Sequence, residues 1–274
     1  MNDNGEAKQP FMSHLEELRK RLIHSFIAVG IGFSAAYAFK EELYNILMLP
    51  LVKALPEGQT LIFTGITEMF FTYLKTALVA GILVASPVIF YEAWKFIAPG
   101  LYQNEKKYII PFVISSTILF IGGALFGYFI VFPYGFQFFL GFETEIIKAM
   151  PSVKEYFSLA TRLLLAFGLV FELPVVMFFL SKMGVVTVPF LKKSRKYAIL
   201  LSFVIAAILT PPDPTTQCMM AVPLVVLYEL GIFVARFARP AKKEDKEDDE
   251  DEEDEGEKQK REKNSDKNNY KKTY

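Results

Sequence analysis

Three carboxylates stand where their presence needs a reason. Glu172 is the one ionisable residue in LLLAFGLVFELPVVMFFL (163–180), with Pro174 two positions further on. Glu17 and Glu105 lie instead among bases, in LEELRKR (15–21) and YQNEKK (102–107). A carboxyl among Leu, Val and Phe is kept neutral more cheaply than it is ionised, which suits Glu172 to donating a hydrogen bond. A carboxylate in a basic segment can pick out one well-placed guanidinium bidentately, while flanking lysines reject cations that are less well placed. Bond-making chemistry finds little support. The two histidines, His14 and His24, have no cysteine beside them to complete a zinc site, and the single cysteine, Cys218, excludes an internal disulfide. The P-loop, nucleophile-elbow and zincin motifs do not occur. The expectation is recognition without a catalytic residue, metal or cofactor.

The two adjacent acids of the N-terminal segment have separate expectations. Ser13 and Glu16 have the S-x-x-E spacing of a capping box, which would give Glu16 a local structural task at a helix start. Glu17 lies about 100° further round the helix, where Arg21 at i+4 offers only a weak pair. Glu17 is therefore expected to remain available to a cation from elsewhere. Near Glu105, Trp94 and Phe96 offer apolar surface for whatever accompanies that cation.

These groups must be held by helices that cross a bilayer. The chain has 274 residues, 52% hydrophobic, with 27 Phe and 13 Tyr, and its apolar residues come in long blocks. Such composition belongs to a polytopic all-α membrane protein. About 20 helical residues cover a hydrocarbon core of about 30 Å. Six segments are expected to cross: 22–39, 70–91, 109–132, 157–180, 197–209 and 218–235. The fifth is short, and TPPDPTT (210–216) joins it to the sixth, so this pair reads as a tight hairpin of short helices that thins the bilayer locally.

Charge sets the orientation. Sixteen Lys and Arg residues fall on the side of both termini and four (Lys40, Lys53, Lys148, Lys154) on the other, so both termini are expected to be cytoplasmic. A cleaved signal peptide ending at Ala36–Ala38 is the alternative, and it would leave five spans. The formal net charge of zero hides an asymmetry. Residues 241–274 carry 14 acids and 10 bases, and EDKEDDEDEEDEGE (244–257) reads as a disordered acidic tail. The expected organisation is a cytoplasmic segment over 1–21, a transmembrane domain over 22–239 and a tail over 240–274.

Within the spans, Pro87, Pro174 and Pro223 each remove a backbone donor and should bend their helices into a concave wall. Gly123 and Gly127 have the G-x-x-x-G spacing for close helix approach, either within the chain or against another subunit. Lys75 and Arg162 lie near outer ends and Glu229 near an inner one, where their heads can reach the interface. Glu172 lies ten residues beyond Arg162, about 15 Å deeper, and cannot snorkel out.

SHLEELRKRL (13–22), SPVIFYEAWKFIAPGLYQNEKK (86–107), FELPVV (171–176) and LTPPDP (209–214) occur in that order. With six spans and cytoplasmic ends, the chain closely resembles the TatC family, the signal-reading membrane subunit of the twin-arginine translocase. The likeness runs from about residue 11 to 239. It implies a concave helical bundle in the bacterial inner membrane that is driven by the proton-motive force and is not an enzyme. It implies that Glu17, Glu105 and Phe96 receive the consecutive arginines of the signal peptide of a folded cargo, with Arg19 in the same group. It implies that Glu172, with Pro174, faces the single-span TatA- and TatB-type subunits, and that Pro50, Glu68 and Asp213 fill outer-loop positions. Assembly into a receptor complex of several copies is implied as well, with no nucleic-acid partner. Two readings from other classes stand beside it. One is a proton- or ion-coupled transporter with Glu172 as carrier, and the other an intramembrane hydrolase, for which no deep base accompanies a Ser or Thr.

Overall fold

In the computed structural model the backbone is described for residues 8–56, 61–63, 65–97, 109–142, 150–210 and 214–238, with side chains from residue 12 on. Glu105, Asp213 and the acidic tail lie outside these residues. The described chain is helical apart from its connections and one isolated bridge between Ile62 and Ser152.

The first helix, α1 (Lys8–Ala38), runs without interruption through SHLEELRKRL. It therefore begins five residues before Ser13, which corrects the expected helix start. Ser13 is an interior residue and Glu16 an exposed side chain on a continuing helix, not the second half of a capping box. Leu, Arg, Lys and Glu are good helix formers, and nothing in this segment stops propagation.

A helix that sequence reading passed over, α2 (Lys40–Ala54), follows. Its apolar positions Leu47, Pro50 and Leu51 are buried at i, i+3 and i+4, one face of a helix. Helix α3 (Glu68–Ile97) returns across the bundle and carries Pro87 in its interior. That proline leaves the Leu83 carbonyl without its helical donor, and the Ser86 hydroxyl donates to the same oxygen at 2.7 Å.

The third crossing consists of α4 (Ile109–Phe126), a π-helical turn over Gly127–Val131 and α5 (Phe132–Leu140). The fourth is α6 (Val153–Phe171) followed by α7 (Leu173–Lys182), with Glu172 as the hinge residue between them and Pro174 in the first turn of α7. The proline expected to bend this span does so at Glu172 itself. A short α8 (Val188–Lys193) leads into α9 (Arg195–Leu209) and α10 (Pro214–Ala235). At 15 residues, α9 is about 22 Å long and falls short of a full crossing. Five helical segments among the described residues (12–38, 68–97, 109–140, 153–182 and 214–235) are long and apolar enough for one. α9 and α10 pack as a hairpin, stitched by Gln217 Nε2 donating to the Phe203 carbonyl at 3.1 Å and by the Arg195–Glu229 ion pair at 2.7 Å. Glu229, expected near a helix end, is there paired with Arg195.

The largest cluster of buried side chains is aromatic and aliphatic, centred on Phe132, Phe157, Ala160 and Phe167. Glycines set the helix separations. A Cβ on Gly123 would come within 2.4 Å of the Phe167 carbonyl oxygen, and Gly127 also faces Phe167. The G-x-x-x-G spacing therefore serves packing within the chain, α4 against α6. Gly32 and Gly81 make the equivalent close approach between α1 and α3, where a Cβ on Gly32 would sit 2.6 Å from the Gly81 carbonyl oxygen.

Candidate functional site

Three clusters of polar side chains stand out: where α1 meets the C-terminal part of α3, the break between α6 and α7, and the junction of α2, α3 and α6.

Where α1 meets α3, Arg21 lies between two carboxylates. Its Nη2 donates to Glu17 Oε1 at 3.0 Å and its Nη1 to Glu92 Oε2 at 3.0 Å. The far oxygen of Glu92, Oε1, is 3.3 Å from His24 Nδ1. Glu17 and Arg21 share a helix face because they are one turn apart, and α3 brings Glu92 from 71 positions away. Glu17 is the more exposed acid, its side chain 32% accessible against 10% for Glu92. One turn from Glu92 on α3, the Phe96 ring stacks on His14 with centroids 4.4 Å apart. Arg19 is exposed on the outward side of α1.

Glu17 and Phe96, singled out from sequence, therefore fall on one patch. Glu17 is paired with Arg21 one helical turn away in this structure, which corrects the expectation that it stands available. Glu92 itself passed unnoticed. Its position in YEAWKF, two residues from the tryptophan, gives no sign that it faces α1. Trp94 is also corrected. It is buried, donates through Nε1 to Ser116 Oγ at 3.1 Å and stacks on Phe112, so it belongs to the interior and not to the surface patch.

At the hinge, Glu172 is only 6% exposed. One carboxyl oxygen, Oε1, is buried with no bonding partner among the described residues. A buried polar atom in that condition is destabilising and calls for an explanation.

At the third junction, Glu68 opens α3 and is 7% exposed. Its Oε1 accepts from the Lys154 backbone N–H at 2.6 Å and from Ser152 Oγ at 3.1 Å, and its Oε2 accepts from the Gly65 N–H at 3.2 Å. The bridge between Ile62 and the start of α6 runs alongside. Pro50 works differently. It leaves the Ile46 carbonyl without its helical donor, and the Tyr128 hydroxyl from the π-helical turn donates to that oxygen at 2.6 Å. Tyr156 donates to the adjacent Leu47 carbonyl. A cavity of about 560 Å³ opens beside this junction, lined by Leu51, Phe136, Tyr156, Glu155 and Arg162 among others.

No group of three or more metal-binding side chains occurs among the described residues. A multi-span α-helical membrane protein with clustered acidic side chains is the class these features define. The family model described as Sec-independent protein translocase protein (TatC) matches residues 13–223. A protein of that name from Desulforapulum autotrophicum is 60% identical over 231 residues, covering 84% of this chain and 86% of its own. The Escherichia coli protein of the same name is 39% identical over 232 residues, covering 85% and 90%. A crystal structure of the twin arginine translocase receptor TatC superposes with a TM-score of 0.74 at 45% identity, covering 82% of this chain and 99% of that one. The chain belongs to the TatC family of Sec-independent protein translocase components. Membership puts a translocase component in place of the transporter reading.

Proposed function

We propose that this chain is the receptor subunit that reads twin-arginine signal peptides in the bacterial cytoplasmic membrane. It spans six times with both termini cytoplasmic, and it passes folded cargo onward with single-span TatA- and TatB-type subunits, using the proton-motive force. It performs no covalent chemistry. Glu17 accepts one signal arginine. Glu105, on the connection between α3 and α4, accepts the other, Phe96 lies under the residues that follow, and Arg19 flanks the site. Glu172, at the hinge that Pro174 creates, bonds a polar side chain of a partner helix. Pro50, Glu68 and Asp213 hold the outer connections in place. Residues 1–21 serve the peptide site, 22–239 form the membrane domain, and 240–274 form an acidic tail. Several copies assemble into a receptor complex.

The observation that carries this reading is the convergence of Glu17, Arg21, Glu92, His14 and Phe96 from two helices onto one inner patch. With two carboxylates and one guanidinium, the cluster has an acid in excess and can take a further guanidinium without leaving a charge unpaired. The test is binding of a fluorescent peptide carrying two consecutive arginines to the detergent-purified chain. Arg-Arg peptide should bind, and its Lys-Lys counterpart should bind at least tenfold more weakly, because an ammonium cannot engage a carboxylate in the forked geometry. Equal binding of both peptides contradicts the reading.

A further inference from the structure

Arg21 occupies the carboxylate proposed for the signal peptide, so a bound peptide must displace it. The surroundings show where it can go. Arg21 already spans two acceptors, each at 3.0 Å. Glu17 is the more exposed of the two, on the same helix as Arg21. Glu92 is set in the α1–α3 seam with its second oxygen against His24, 3.3 Å away. A carboxylate fixed by burial and a second contact loses less freedom on pairing than an exposed one and is less screened by water.

We propose that Glu92 is a positioning residue for signal recognition: it retains Arg21 when an incoming guanidinium takes over Glu17. This rests on the reading that Glu17 receives a signal arginine. In the resting state one guanidinium bridges two carboxylates. In the bound state two guanidiniums pair with the two carboxylates, Arg21 with Glu92 and the signal arginine with Glu17. No charge is left alone in either state. Arg21 thereby fills the site with the chemical group the site is meant to read. A ligand that forms a weaker pair than a guanidinium, such as a lysine, does not repay the lost Arg21–Glu17 bond. Glu92 makes that exchange possible, because without it Arg21 has only Glu17.

The test is a cycle on the full-length chain in detergent, measuring the affinity of a fluorescent peptide with two consecutive arginines. Glu92→Gln keeps the shape and removes the charge, leaving Arg21 and the peptide to compete for Glu17. Affinity should fall about tenfold or more, as for loss of one charge-assisted contact. In an Arg21→Gln background no internal guanidinium competes, and adding Glu92→Gln should change affinity less than about twofold. The Arg21→Gln, Glu92→Gln double variant removes both partners together, so it leaves no buried charge unpaired and keeps the test open if the Glu92→Gln single variant folds poorly. An equal loss from Glu92→Gln in both backgrounds overturns the exchange, because it makes Glu92 either a direct peptide contact or a general support. No loss in either background overturns it too. Glu17→Gln serves as the control. If it leaves affinity unchanged the acceptor reading itself fails, whereas a loss there with none from Glu92→Gln removes this inference alone.

Discussion

Glu68 offers the most severe single perturbation that leaves the inner patch untouched. It is buried, and it satisfies three donors contributed by two stretches of chain more than eighty residues apart: the Lys154 N–H at 2.6 Å, the Ser152 hydroxyl at 3.1 Å and the Gly65 N–H at 3.2 Å. Glu68→Ala removes the acceptor for all three. The Ser152 hydroxyl can rotate to water, but the two backbone N–H groups cannot, and each orphaned donor costs about 1–3 kcal/mol. Loss of an acid from the first turn of α3 adds about 0.5 kcal/mol. The expected destabilisation is therefore on the order of 3–6 kcal/mol. Glu68→Gln keeps one acceptor oxygen but turns an amide donor towards one of the donors, and should cost about half as much. Thermal unfolding of the detergent-purified chain, followed by fluorescence of the sole tryptophan, gives the comparison, since Trp94 is buried at the opposite end of α3. A Glu68→Ala variant that unfolds within about 2 °C of the parent would refute the reasoning. A change confined to Gln with none for Ala would refute it equally.

Other outcomes follow from the remaining sites. Glu172→Ala should weaken crosslinking of a single-span partner helix to positions beside 172, while Glu172→Gln, which still donates and accepts, should retain most of it. Peptide affinity should be nearly unchanged in both. Equal crosslinking in Ala and parent would reduce Glu172 to a packing residue. Tyr128→Phe removes the only side-chain donor seen at the Ile46 carbonyl and should destabilise by about 1 kcal/mol, and Pro50→Ala, which restores a helical donor to that oxygen, should make the loss smaller in the double variant. Strict additivity of the two changes contradicts that account. Topology reporters fused after residues 60, 100, 145, 190 and 214 should alternate outside, inside, outside, inside, outside, and an inverted series contradicts the cytoplasmic placement of the termini.

The spans were legible because membrane crossing demands long apolar runs, and the shortness of α9 followed from counting residues between Lys196 and Thr210. The break at Glu172 was legible from Pro174, whereas Pro87 and Pro223 lie inside helices that run on through them. What escaped were features set by the face a residue presents. Helix α2 mixes polar and apolar residues and is shorter than a span, so a hydropathy window passes over it, although its i, i+3, i+4 pattern of Leu47, Pro50 and Leu51 was there to find. Glu92 and Trp94 are two residues apart on α3, about 200° around the axis, and turn to opposite sides, one to α1 and the other to α4. Only packing reveals that. Ser13 misled for a related reason: the S-x-x-E spacing marks a helix start only where the helix has not already begun.

The account depends above all on Glu17 being the carboxylate that meets a signal arginine. The most direct measurement compares the affinity of an Arg-Arg signal peptide for the parent chain, Glu17→Gln, Glu105→Gln and Glu16→Gln. Each of the first two substitutions removes one charge-assisted contact worth about 1.5–3 kcal/mol, so affinity should fall tenfold or more. Glu16 is exposed on α1, about 100° round the helix from Glu17, and its replacement should change affinity less than about twofold. A Glu16→Gln variant that loses the peptide while Glu17→Gln retains it would contradict the assignment.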